Sequence, residues 1–172
     1  MKKITDGSLS LKVDNISIFQ YLNENERRQL LNICDVFEYY KGERIITQGE
    51  VSSYFFVVLS GSLKVTFTDP GGAEVFISNI QAGDFFGETG IFSDAKRTAN
   101  VSPLDTAQIL RIGREDFFHF IRMYSHAGVK LLMLFVYGLM KKLNDSNQGL
   151  VAMERKTVLN HSDVDQFFKK EQ

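Results

Sequence analysis

The chain of 172 residues has a single cysteine, Cys34. One cysteine excludes an internal disulfide and fits a reducing compartment. Cys34 stands near Leu30, Leu31 and Ile33 in a helical pattern and reads as a core residue. Charge of one sign is also missing. Lys and Arg number 20 against 21 Asp and Glu, a net charge of −1, so no global basic field recruits nucleic acid. The basic opening "MKKITDGSLSLKV" has no apolar stretch behind it, and no secretory signal is read there. The most apolar run, Leu131 to Met140, is about half of what a membrane span needs. We therefore expect a cytoplasmic protein with no membrane or nucleic-acid partner. Histidine is scarce: His119, His126 and His161 are scattered, without metal-ligand spacing, beyond the last strand-like run. That leaves a metal centre in a β-barrel, and a Ser-His-Asp or Cys-His arrangement, without support. The expectation is no metal, no cofactor and no enzyme. Internal repeats and low-complexity tracts are absent as well.

What is present divides in three. Residues 1–15 are polar and unpatterned, and read as a loose arm. Asn23 with Glu26 three residues on, followed by Leu30, Leu31 and Ile33 at helical spacing, predicts a short helix over about 24–34. From Val36 the grammar changes. "VFEYYKGERIITQGEVSSYFFVVLSGSLKVTFTDPGGAEVFISNIQAGDFFGE" is rich in Phe, Tyr, Val and Ile, and is broken by glycines and polar pairs every six to twelve residues. Many short strands joined by turns mark an all-β sandwich or barrel. Ser60-Gly61-Ser62 reads as a hairpin turn in which Gly61 takes positive φ. Pro70 and Gly71-Gly72 mark a second turn. Two more strand-like runs follow, Ala99 to Val101 and Ala107 to Ile112.

Helical grammar resumes over roughly 114–123, with Phe117, Phe118, Phe120 and Ile121, and again over roughly 127–147. In the longer helix the stripe Leu132, Phe135, Val136, Leu139 and Leu143 suffices to pack one side. Leu131, Met133, Leu134 and Tyr137 are apolar too, and a helix apolar nearly all round must be covered nearly all round. One small barrel covers one face. A second copy of the same helix across a two-fold axis is the simplest cover for the other, so a homodimer through 127–147 is expected. Residues 148–172 form a mixed tail.

The stretch "GDFFGETGIFSDAKRTANV", Gly83 to Val101, carries the chemistry. A short helix over Glu88 to Phe92 would present unpaired N–H groups at its start, a ready anion site. Gly87 allows close approach of the backbone. Arg97 brings a planar fork of donors that suits phosphate, and Thr98 adds a hydroxyl. An ionised Glu88 accepts hydrogen bonds only, so it suits a sugar hydroxyl beside the anion rather than the anion itself. Together they describe a nucleotide whose phosphate and ribose are held close.

This stretch resembles the phosphate-binding cassette of the cyclic nucleotide-binding domain: Phe86-Gly87-Glu88, then Arg97-Thr98-Ala99, then Val101. Upstream, "YYKGERIITQGEVSSYFFVVLSGSLKV" is similar to the early strands of that family, with Gly42, Gly49 and Gly61 at its turns. The resemblance covers about residues 18–147. It implies a mainly β fold with flanking α-helices, a jelly-roll-like β-barrel with a short N-terminal helix and C-terminal helices. It divides the chain into an arm (1–15), the domain with its long helix (16–147) and a tail (148–172). It implies that Glu88 takes the ribose 2′-hydroxyl. It also implies that Arg97 takes the exocyclic phosphate oxygens, helped by Thr98 and by N–H groups near Gly87–Gly90. Ser146 and Asn147, at the end of the long helix, fall where relatives place polar contacts to the base.

Thr89 departs from the family, which usually packs Leu or Ile inward there; Gly90 agrees with it. Thr98 leaves cAMP and cGMP both open as ligand, with cAMP expected first. No helix-turn-helix follows the long helix, so the resemblance points to a regulatory sensor that passes a conformational change to a protein partner. The alternatives are a ligand-free dimerisation scaffold of the same fold, or the ligand-binding part of a transcription regulator.

Overall fold

Asn23 starts the first full helix for a local reason. Its side chain accepts from the N–H of Glu26 at 2.9 Å, and the Glu26 carboxylate accepts from the N–H of Asn23 at 2.9 Å. This reciprocal capping box satisfies two otherwise orphaned donors. In the computed structural model, which describes residues 1–4, 13 and 16–144, the helix runs Glu24–Asn32 (α2) and follows a single turn, Ser17–Gln20 (α1). It ends two residues short of the predicted boundary. Ile33 caps it and Cys34 opens the first long strand, β2 (Cys34–Tyr39). Cys34 is therefore half-buried in a strand rather than part of a helical core, and its thiol donates to the carbonyl of Leu30 at 2.9 Å. Burial pushes that thiol well above its ordinary pKa, and the nearby charges of Asp35 and Asp116 push the same way.

The segment expected as an arm over 1–15 opens with a short strand. Lys2–Ile4 (β1) pairs antiparallel with β2, Lys3 lies 2.6 Å from Asp35, and the N-terminal ammonium pairs with Glu43. Backbone pairing plus two ion pairs holds a segment whose side-chain pattern carries no strand signal.

The remaining strands are β3 (Tyr54–Ser60), β4 (Leu63–Thr68), β5 (Glu74–Ile80), β6 (Phe85–Phe86), β7 (Asn100–Pro103) and β8 (Ala107–Gly113). They form one sheet in the order β1-β2-β8-β3-β6 and another in the order β5-β4-β7, all antiparallel among the described residues. The expected mainly β fold with flanking helices is thus observed, but the two sheets do not close into a barrel; a bridge from Ile46 to Val101 extends the second. The core holds Phe56, Val58, Leu63, Phe86, Val101 and Ile109. β3 is apolar on both faces because both are covered: Phe56 and Val58 face this core, while Phe55 meets Phe117 edge-on at 5.2 Å. Phe117 belongs to helix α4 (Arg114–Met123), close to its predicted bounds.

The chain divides into two units, Met1–Leu131 and Leu132–Gln172. A second C-terminal helix, α5, occupies residues 125–144. In the first unit Lys130 on it lies 3.5 Å from Glu26 of α2. In the second unit Phe135 is buried, Leu132 and Leu134 are half-buried, and Met133, Val136, Tyr137, Leu139, Met140 and Leu143 are exposed. The predicted packing stripe is therefore only partly covered: Val136, Leu139 and Leu143 face out. No described helix is long and apolar enough to cross a membrane.

Candidate functional site

The site grows from the end of β6. Phe85-Phe86 pairs with Phe56 and Val57 of β3, and Phe86 stacks on Phe56 at 5.1 Å. Phe86 is thus core floor beneath the site. The chain then turns at Gly87, whose φ of +73° is a left-handed conformation. A Cβ there would also lie 3.1 Å from Ile46 and Phe56 and 3.2 Å from Nη1 of Arg97, so glycine meets a backbone and a space requirement together. One helical turn follows, Thr89–Phe92 (α3), with Glu88 at its N-cap. It begins one residue later than predicted. The N–H of Gly90 donates to Gly87 O at 3.1 Å and that of Ile91 to Glu88 O at 3.0 Å. Thr89 is exposed, and Ile91, only 1% exposed, is the inward anchor of the turn.

Arg97 returns beneath this turn. It is 4% exposed. Its Nη1 donates to Gly87 O at 2.6 Å, and its Nη2 to Tyr54 O at 2.5 Å and to Ser52 Oγ at 3.2 Å. Its Nε is buried with no acceptor among the described residues. Its backbone is held as well: Arg97 N donates to Glu50 O at 2.8 Å, and Gly49 N to Arg97 O at 2.9 Å. Burial pushes the guanidinium below its ordinary pKa, the charge of Glu88 opposes that shift, and the charge of Arg114 adds to it. Gly90 sits against the same guanidinium, since a Cβ there would come within 2.6 Å and 2.7 Å of its two terminal nitrogens and 2.4 Å of Ser52 O. Thr98 is exposed next to Arg97, and Ala99 is half-buried.

The structure therefore brings Gly87, Glu88, Gly90 and Arg97 together around one turn, with Thr89 and Thr98 on its outer side. Ser146 and Asn147 lie outside the described residues. No group of three or more His, Cys, Asp or Glu side chains that could hold a metal is found among the described residues.

Three contributors were not legible in the sequence: the hydroxyl of Ser52, the carbonyl of Tyr54, and Arg114. A carbonyl acceptor has no residue signature. Arg114 has a weak one. It is the first residue of α4, where the positive end of the helix dipole disfavours a cation.

Comparison with known proteins gives the family and the fold. A family model described as cyclic nucleotide-binding domain matches residues 36–124, just over half of the chain. A cAMP-dependent protein kinase regulatory subunit of Mycosarcoma maydis is 35% identical over 88 residues, 51% of this chain and 17% of that protein. The cGMP-dependent protein kinase egl-4 of Caenorhabditis elegans is 38% identical over 104 residues, 59% of this chain and 13% of that protein. The match thus spans well under a quarter of either relative's length. Among solved structures, a cyclic nucleotide-binding domain from Methylobacillus flagellatus aligns with a TM-score of 0.70 at 19% identity, covering 79% of this chain and 76% of that one. The catabolite activator protein of Thermus thermophilus aligns with a TM-score of 0.65 at 24% identity, covering 78% and 62%. These two likenesses speak for the fold. By the family match and the architecture together, the chain belongs to the cyclic nucleotide-binding domain family.

Proposed function

We propose that this chain binds a cyclic nucleotide, with cAMP as the first expected ligand, and acts as a cytoplasmic regulatory module. The observation that carries this reading is Arg97. A side chain 4% exposed, with a buried Nε that has no acceptor among the described residues, is an incomplete set of interactions, because buried polar groups are ordinarily paired. Its side-chain hydrogen bonds among the described residues go to neutral oxygens of Gly87, Tyr54 and Ser52. A guanidinium has five N–H groups in a fixed fork, so donors remain for phosphate oxygens. Glu88, one residue past Gly87, contributes an acceptor for a ribose hydroxyl, and Thr98 a hydroxyl at the rim. The relatives support the ligand class: one is by name a cAMP-dependent and the other a cGMP-dependent kinase protein.

The test is calorimetric titration of nucleotide-free protein with cAMP, cGMP and cyclic dinucleotides. Saturable heat with one of the mononucleotides supports the reading. No heat with any of them sinks it and favours a ligand-free scaffold.

The ligand biases the C-terminal helices only through its different affinity for two arrangements of the domain. Couplings of this kind are typically about 1–3 kcal/mol. The output runs through a second copy of the chain. Met133, Val136, Met140 and Leu143 follow a 3-4-3 spacing on one exposed helical stripe, with Tyr137 beside it. That spacing is the seam of a two-stranded coiled coil. Sedimentation is expected to give a dimer at micromolar concentration, and Val136→Glu with Met140→Glu to give a monomer. A wild-type monomer at high micromolar concentration refutes the shared helix.

A further inference from the structure

We infer that Arg114 is a positioning residue of the cassette, fixing α3 over Arg97 from a different element without itself touching the ligand; the ligand part of this inference rests on the function proposed above. Arg114 begins α4, and its own N–H donates to Ser53 O at 2.8 Å. Its side chain turns away from α4 and reaches the far end of α3. Nε and Nη2 donate to Gly90 O at 3.0 and 2.8 Å, Nη2 also to Ser93 O at 2.5 Å, and Nη1 to Asp94 Oδ1 at 2.6 Å. The last carbonyls of a helix have no partner within it. In a single turn such as Thr89–Phe92 they are a large share of the whole, and Arg114 supplies donors to them.

The two arginines hold opposite ends of the same turn. Arg97 takes Gly87 O before it, and Arg114 takes Gly90 O within it and Ser93 O after it. Both meet at Gly90, whose Cα faces the Arg97 terminal nitrogens while its carbonyl accepts from Arg114. Their guanidiniums are close enough for the charge of Arg114 to act on Arg97. Segment 52–54 closes the frame: Ser53 O receives the Arg114 backbone, and Ser52 Oγ and Tyr54 O receive the Arg97 fork. A cation at the first position of α4 works against that helix's dipole, so its residue type is explained by α3 rather than by α4. The fork shape matters, because a lysine ammonium does not serve two carbonyls and a carboxylate in one plane. Asp94 matters less, since its side chain is 82% exposed and surface ion pairs contribute little.

The experiment uses the whole chain and the variants Arg114→Ala, Arg114→Lys and Asp94→Asn, with two readouts. The first is amide hydrogen exchange at Ile91 and Ser93, whose N–H groups close the α3 turn. The second is affinity for cAMP and cGMP by titration. Arg114→Ala is expected to speed exchange at these two amides by about tenfold or more, leaving β3 and β8 amides unchanged, and to weaken binding by about tenfold, the range for losing charge-assisted bonds. Arg114→Lys is expected to restore neither, and Asp94→Asn to leave both within about twofold. Unchanged α3 exchange in Arg114→Ala overturns the inference. So does faster exchange throughout the molecule, which would make Arg114 a general stabiliser, or a local change with unaltered affinity. If the wild-type chain binds none of the nucleotides, the proposed function fails, and the exchange readout by itself still decides whether Arg114 fixes α3.

Discussion

Arg97→Ala is expected to weaken cyclic nucleotide binding by about 1.5–3 kcal/mol or more, roughly tenfold to more than a hundredfold in Kd, while costing the ligand-free protein only about 1–3 kcal/mol for the acceptors it leaves unpaired. The two halves of this expectation have one cause. The Arg97 guanidinium is buried among neutral acceptors, the oxygens of Gly87, Tyr54 and Ser52. Taking a cation out of water is costly, and neutral acceptors offset that cost only in part. Beyond the nearby charge of Glu88, the ligand-free fold therefore gains little from the charge itself, and what it loses with Arg97 is chiefly the pairing of the Gly87 and Tyr54 carbonyls. A phosphate changes the balance, because it brings the opposite charge into a site from which water is largely excluded, where charge-assisted hydrogen bonds are strongest. The check is thermal unfolding with and without nucleotide. At a ligand concentration of about 100 times Kd, wild type gains about 2.7 kcal/mol of stability, and the variant loses that gain while its ligand-free midpoint moves by only a few degrees. Equal affinity in wild type and variant would remove Arg97 from the site. Collapse of the ligand-free midpoint would show instead that Arg97 is chiefly structural.

Gly61→Ala is expected to cost about 2–4 kcal/mol of folding stability, summing about 1 kcal/mol or more for an L-residue held at positive φ and the remainder for overpacking. Gly61, with φ of +85°, makes the tight turn by which the chain leaves β3 in one sheet and enters β4 in the other, so the hairpin expected at Ser60-Gly61-Ser62 is instead a connection between sheets. A Cβ there would lie 2.6 Å from Thr106 O, 2.8 Å from Ala107 Cα and 2.9 Å from Ala107 Cβ. The first two obstacles are backbone at the start of β8, which forms the centre of the five-stranded sheet with β3. Moving them disturbs the pairing of Ser60 with Gln108. Gly72→Ala is the matched control. Its φ is +86°, but nothing lies within 4 Å of its Cβ, so it carries only the conformational penalty, about 1 kcal/mol. Urea denaturation of both variants separates the two contributions. Equal losses at Gly61 and Gly72 would show that the backbone contact at Thr106 and Ala107 yields freely.

Most of the cassette was legible before any coordinates. Gly87, Glu88 and Arg97 stand out because each is the wrong residue for an ordinary apolar crossover, and the structure places them around one turn. The positive φ of Gly61 was legible because a tight reversal demands a residue at ease there, but the expected hairpin is not what forms, since β3 and β4 enter different sheets. Other features were not. The N-terminal strand Lys2–Ile4 is defined by backbone pairing with β2, and three residues are too few to show a period of two. Cys34 follows a helical run of Leu30, Leu31 and Ile33, yet the capping of α2 at Ile33 turns the chain into β2 one residue before it. Thr89 looked like a gap in the inward packing of the cassette. The turn solves this by burying Ile91 instead and leaving Thr89 outside.

The amino-acid order by itself determined the β-rich class, the turn glycines, the capping box at Asn23 and the identity of the charged pair Glu88 and Arg97. These follow from local chemistry: side-chain alternation, permitted φ, and residue type within a few positions. Only the tertiary structure decided that Arg97 is buried, that Ser52 and Tyr54 meet it from more than forty residues away, and that Arg114 holds the far end of the same turn. Those contacts depend on how β3 lies beside β6 and β8 and on where α4 starts. A backbone carbonyl accepts in the same way whatever side chain it carries, so its part in the site is written in the fold.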